Sequence, residues 1–119
     1  MRDDGLYLED IGESIDLVEQ YLGVSSTSAA LKALFFDDQR TQDAVLRRLE
    51  TLVDAASHLS ETLKARYPQI SRRQLADFRN VLAHAYMGVR PELVWRIIVT
   101  DLPDLKTLVA QELGHSPSP

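Results

Sequence analysis

Apolar residues recur along the chain at spacings of three and four. In the first segment Leu8, Ile11, Ile15, Val18 and Leu22 mark one face of a helix, and Gly23 follows as a C-terminal stop. Ser25 to Ser28 read as a polar connection whose last residues cap a brief helix, Ala29 to Phe36, ending near Asp37 and Asp38. From about Asp38 to Arg66 the stripe Val45, Leu49, Leu52, Ala56, Leu59 and Leu63 is unbroken and heptad-like, which predicts one long helix of an antiparallel bundle, ended by Pro68. Ser71 stands where an N-cap belongs, so the next helix runs from Ser71 to Met87 and stops at Gly88. Pro91 opens the last helical region, and Pro103 breaks or kinks it after Leu102. No stretch alternates as a strand does, and there is no internal repeat. The pattern predicts an all-α, up-and-down bundle of four to five helices forming one domain over residues 1–113, with residues 114–119 (GHSPSP) as a disordered tail.

Composition agrees with a single core, since 45% of the 119 residues are hydrophobic and 26% are charged. The absence of cysteine excludes disulfides, thiolate metal sites and cysteine nucleophiles, and makes a reducing cytoplasm the expected location. The opening MRDDGLYLED lacks the basic flank and apolar run of a signal peptide, and no segment approaches the roughly 18 apolar residues of a membrane span.

Net charge is −5, which at face value disfavours a nucleic-acid ligand. The charges are segregated, however. Residues 1 to 23 carry seven acids against Arg2 alone, whereas residues 64 to 96 carry Lys64, Arg66, Arg72, Arg73, Arg79, Arg90 and Arg96 against Asp77 and Glu92. Such a chain can be acidic overall and still turn a basic surface toward a polyanion. Equally, the two regions can attract one another within the fold or across a dimer, and charge alone does not separate these readings.

Candidate chemistry gathers in residues 79 to 86, RNVLAHAY. On a helical wheel Leu75, Phe78, Val81, Leu82 and Ala85 form the core stripe, while Asn80 and His84 share the nearly opposite face. Arg79 and Tyr86 stack on the border, and Ala76 and Ala83 form a strip of small residues that another helix could approach closely. Arg79 and His84 are therefore about 140° apart around one axis. A histidine in that place is either an ordinary solvated side chain or a functional one oriented by the Asn80 amide. Asp54 and His58 have a spacing that can hold a metal, but no third ligand accompanies them, and His115 is in the tail. No phosphate loop, nucleophile elbow or paired-carboxylate arrangement is present, so no cofactor is expected. Histidine acid–base chemistry beside an arginine is what remains, and it suits phosphodiester cleavage: imidazole deprotonates a ribose 2′-hydroxyl while guanidinium stabilises charge on the phosphate oxygens.

These residues resemble a known family. RNVLAHAY reproduces the Arg-Asn-x-x-x-His-x-Tyr form of the motif of HEPN domains, and the chain from Leu6 to Leu113 is similar to the HepT-type branch of that superfamily. The likeness includes Asp10, Ile11, Ile15 and Asp16 in the first helix, then Asp43, Ala44, Val45, Arg47 and Leu49. It continues through the Tyr67-Pro68 break, Val94, Trp95 and Ile97, and Leu102, Pro103 and Leu105. Val53 and Asp54 stand where many relatives carry Gly-Glu, and Ser71 or Arg72 where a tryptophan is frequent. The resemblance implies a homodimeric, metal-independent endoribonuclease that is the toxin of a toxin–antitoxin pair, its partner an MntA-like nucleotidyltransferase antitoxin. It implies Arg79 and His84 as catalytic residues, Asn80 as the support of the histidine, and Tyr86 as the tyrosine to which the antitoxin adds AMP. Arg72, Arg73 and Arg90 are the candidate RNA contacts. Two further readings stand beside it: a non-catalytic HEPN dimerisation or nucleotide-binding adaptor, and a phosphotransfer bundle. The second of these typically needs a lysine where Met87 stands.

Overall fold

A computed structural model describes residues 3–23, 35–86 and 91–114. Helix α1 (Asp4–Leu22) starts where the Asp3 carboxylate accepts the Leu6 N–H at 3.1 Å. It buries Leu8, Ile11, Ser14, Ile15, Val18 and Leu22, and ends at Gly23, whose φ of 73° is the left-handed cap a side chain disfavours. The helical residues 35–37 are the described end of the expected Ala29 to Phe36 segment; the rest of that segment and the Ser25 to Ser28 connection lie outside the described residues. Asp38 then caps α2 (Gln39–Ser57), its carboxylate accepting the Arg40 N–H at 3.2 Å and the Thr41 hydroxyl at 2.7 Å.

The single long helix expected from Asp38 to Arg66 is two helices. Helix α2 closes at Ser57 with His58 as its C-cap, and α3 (Glu61–Arg66) begins after Ser60, whose hydroxyl accepts the Leu63 N–H at 3.2 Å. Lys64 curls back and donates from Nζ to the Ser57 carbonyl at 2.8 Å, satisfying an acceptor that the helix end leaves open. Leu59 and Leu63 stay buried on either side of the junction, so the apolar stripe passes through it undisturbed.

A 3₁₀ turn at Pro68–Ile70 leads to α4 (Arg72–Tyr86), with the Ser71 hydroxyl accepting the Gln74 N–H at 3.1 Å as the expected N-cap. Gly88, the expected stop, lies outside the described residues. Helix α5 (Pro91–Arg96) passes through a π turn (Ile97–Asp101) into α6 (Leu102–Gly114), and the Leu102 N–H reaches back to the Ile97 carbonyl. Pro103 lacks an N–H and sits just beyond this widened turn, so the expected break takes the form of a π turn in a continuous helical path. Residues 115–119 of the expected tail lie outside the described residues.

The described residues thus form six α-helices, the end of a further one at 35–37, and no strand, an all-α architecture with more helices than the four to five expected because two segments are divided. Helix α1 packs on α2 and α6, and α4 packs on α2 and α5, around one core that includes Ile11, Ile15, Val45, Leu49, Leu63, Phe78 and Leu108. A Cβ at Gly12 would come within 3.4 Å of Val109 Cγ1, which shows how closely α1 and α6 approach. None of the described helices is long and apolar enough to cross a membrane.

Candidate functional site

Helix α4 presents Arg79, Asn80 and His84 to solvent because Leu75, Phe78 and Leu82 occupy the buried side, with Val81 and Ala85 partly buried beside them. Tyr86 is the last residue of this helix; its side chain lies outside the described set, as does all of Arg90. Among the described residues Arg79, Asn80 and His84 make no hydrogen bond or ion pair, so Asn80 does not hold the imidazole here.

Beside Arg79 runs an open groove of about 390 Å³, lined by Glu50, Val53 and Asp54 of α2 and by Arg79, Leu82 and Ala83 of α4. Ala83, one turn after Arg79, leaves room for it. The groove lining holds Arg79 together with two acidic residues, Glu50 and Asp54, and does not include His84. Asp54 also lies 3.9 Å from His58 Nε2 one turn later, and the His58 ring stacks on Tyr7 of α1 with centroids 5.2 Å apart and planes 17° apart. No cluster of three or more metal-ligating side chains occurs among the described residues.

The arginines expected to contact RNA divide. Arg72 is exposed but engaged, donating to both carboxylate oxygens of Glu61 at 3.3 and 2.9 Å. This pair holds the Glu61 carboxyl below its ordinary value and raises the guanidinium further. Arg73 is exposed and has no partner among the described residues. Two acids of α1 form ion pairs with cations outside the basic region, Glu13 with Arg48 at 3.9 Å and Glu19 with Lys106 at 3.0 Å.

Sequence reasoning placed Asn80 and His84 on the exposed face, where they are; Arg79, expected on the border of the core stripe, is exposed as well. It missed Glu50 as a groove wall and Tyr7 as the partner of His58. The four-residue spacing of Glu50 and Asp54, flanking Val53, was the available signal, but it needs the rotation of α2 against α4 to acquire meaning.

A family model described as Ribonuclease HepT-like matches residues 11–112. The chain is 37% identical over 100 residues to a Thermococcus cleftensis protein named "Probable ribonuclease HepT", covering 84% of this chain and 86% of that one. It is 34% identical over 105 residues to a Methanocaldococcus jannaschii protein named "Gamma-glutamylcyclotransferase and putative RNase MJ0434", covering 88% of this chain but 45% of the longer relative. A third similarity, 27% over 106 residues, is to "Putative RNase MJ1380" of the same organism, covering 88% and 92%. No solved structure matches the chain significantly.

Proposed function

The chain belongs to the ribonuclease HepT-like family, and we propose that it is the endoribonuclease toxin of a toxin–antitoxin pair, cleaving RNA without a metal ion. The reading rests on one observation above the others: Arg79 and His84 both stand exposed on α4, unengaged by other described residues. Neutral imidazole at His84 takes the proton of a ribose 2′-hydroxyl, and the oxygen attacks the adjacent phosphorus. The P–O5′ bond breaks and the leaving 5′ oxygen takes a proton from water, giving a 2′,3′-cyclic phosphate and a 5′-hydroxyl, while the proton on His84 returns to solvent. Arg79 meets the phosphate and the charge that builds on its oxygens. Asn80, one turn before His84, orients the imidazole once substrate orders both. Arg73 and Arg90 supply further phosphate contacts; Arg72 joins them only by leaving Glu61.

The separation of about 140° between Arg79 and His84 on one helix is met by a homodimer whose two-fold axis passes along the Ala76 and Ala83 side, so that both copies face one cleft. The partner is a nucleotidyltransferase antitoxin that adenylylates Tyr86, placing bulk and negative charge two residues from His84 and repelling the RNA phosphate. The same separation favours a second reading, an adaptor that grips a phosphate through Arg79 and cleaves nothing. Incubation of purified protein with tRNA or mRNA in the presence of a chelator decides between them. The toxin reading expects fragments with cyclic-phosphate ends that disappear in His84→Ala, together with loss of growth inhibition; intact RNA supports the adaptor.

A further inference from the structure

We infer that the stacked rings of Tyr7 and His58 form a platform for an unpaired base of the RNA substrate, set beside the Arg79 groove. The inference rests on the ribonuclease reading for its substrate but on different residues for its evidence.

Both rings are anchored. Tyr7 packs partly buried against the core, and His58 is the C-cap of α2, its backbone N–H directed to the Ala55 and Ala56 carbonyls. Their planes are nearly parallel, at 17°, with centroids 5.2 Å apart. One face of the imidazole is covered by Tyr7, yet the side chain keeps 55% of its accessible surface. A third flat ring can extend such an exposed stack, as single-stranded bases do on protein aromatics.

Asp54 connects this stack to the groove. Its carboxylate is 3.9 Å from His58 Nε2 on one side and lines the groove with Arg79 on the other. A nucleotide whose phosphate meets Arg79 therefore has an aromatic surface and an acceptor within the same stretch of α2. An ionised carboxylate only accepts hydrogen bonds, so it selects a base edge carrying adjacent N–H donors. Guanine, with N1–H and the N2 amino group side by side, meets both carboxylate oxygens; adenine and uracil offer fewer donors there. A carboxylate beside a phosphate-binding arginine is otherwise an odd companion for a polyanion, and a base-reading role explains it.

The test uses single-stranded 2′-O-methyl RNA oligonucleotides, which lack the attacking hydroxyl, differing at one position among G, A and U, with binding followed by fluorescence anisotropy. His58→Ala is expected to weaken binding about fivefold or more, in the range of a lost base stack, while His58→Phe stays within about twofold of the parent. Asp54→Asn is expected to lower the preference for G over A. In cleavage of the unmodified RNA, His58→Ala raises KM and leaves kcat within about twofold. Unchanged binding in His58→Ala, or equal weakening in His58→Phe, overturns the platform. An unaltered preference in Asp54→Asn overturns base selection by that carboxylate. RNA cleaved normally by His58→Ala removes the platform and leaves the nuclease reading standing; binding that depends on His58 without any cleavage by the parent does the reverse.

Discussion

The Asp4 carboxylate accepts two hydrogen bonds from Ser60, the backbone N–H at 2.8 Å and the hydroxyl at 2.6 Å, across 56 positions of sequence. It thereby ties the first turn of α1 to the junction between α2 and α3, while a negative charge in that first turn also favours the α1 dipole. Asp4→Ala is expected to cost about 1–2 kcal/mol, the range of charge-assisted hydrogen bonds at an accessible site. Asp4→Asn is expected to lose less, and urea unfolding followed by circular dichroism measures both.

That junction also shows why periodicity misread the chain. The stripe from Val45 to Leu63 reports which way side chains face, and Leu59 and Leu63 face the core whether the helix continues or restarts. What stops α2 is axial: a serine cap, a lysine returning to the Ser57 carbonyl and a carboxylate arriving from α1. Only the serine was visible locally. The exposure of His84 could be read from its own helix because it depends on one wheel. The groove beside Arg79 could not, because it depends on how α2 and α4 are set against each other.

Ser14 marks a place where stability is open to improvement. Its side chain is fully buried among the apolar residues of α1, and its hydroxyl has no hydrogen-bond partner among the described residues. A buried hydroxyl without a partner costs about 1–3 kcal/mol, and alanine is the better helix former. Ser14→Ala is expected to raise stability by about 1 kcal/mol, seen as a higher denaturant midpoint at unchanged slope.

Lys64 tests the opposite case. Its side chain is 8% exposed, and its ammonium reaches the Ser57 carbonyl at 2.8 Å. Lys64→Met keeps the aliphatic stem packed but abandons the carbonyl and removes a cation from the end of α2. A loss of about 1–2 kcal/mol is expected, with circular dichroism still reporting the native helix content at low temperature.

Acid dependence is expected at the π turn. Burial raises the Asp101 carboxyl above its ordinary value of 3.8, and the nearby Asp104 raises it further, against a smaller opposing effect of Arg96. Because the folded value exceeds the unfolded one, the folded state binds the proton more tightly. Ionised Asp101 therefore subtracts stability at neutral pH, and that loss is relieved as pH falls through the raised value toward 3.8. Asp101→Asn is expected to raise Tm at pH 7 and to bring the two proteins closer together as the medium becomes weakly acidic. Equal Tm differences at pH 7 and pH 4 would contradict this assignment.

The separation of Arg79 and His84 around α4 makes the proposed dimer measurable. If each active site takes Arg79 from one copy and His84 from the other, then Arg79→Ala and His84→Ala proteins are each inactive alone but complement each other when mixed. A heterodimer of the two retains one site with both residues intact and one with neither. With random exchange, half of the dimers are mixed and half of their sites work, so about a quarter of parental ribonuclease activity is expected after subunit exchange. A site built within one copy gives no recovery, since every protomer in the mixture lacks one of the two groups. The experiment needs mild denaturation and refolding of the mixture, with each single variant treated identically. Recovery near a quarter assigns Arg79 and His84 of one site to different subunits, and its absence with proven exchange places them in the same one.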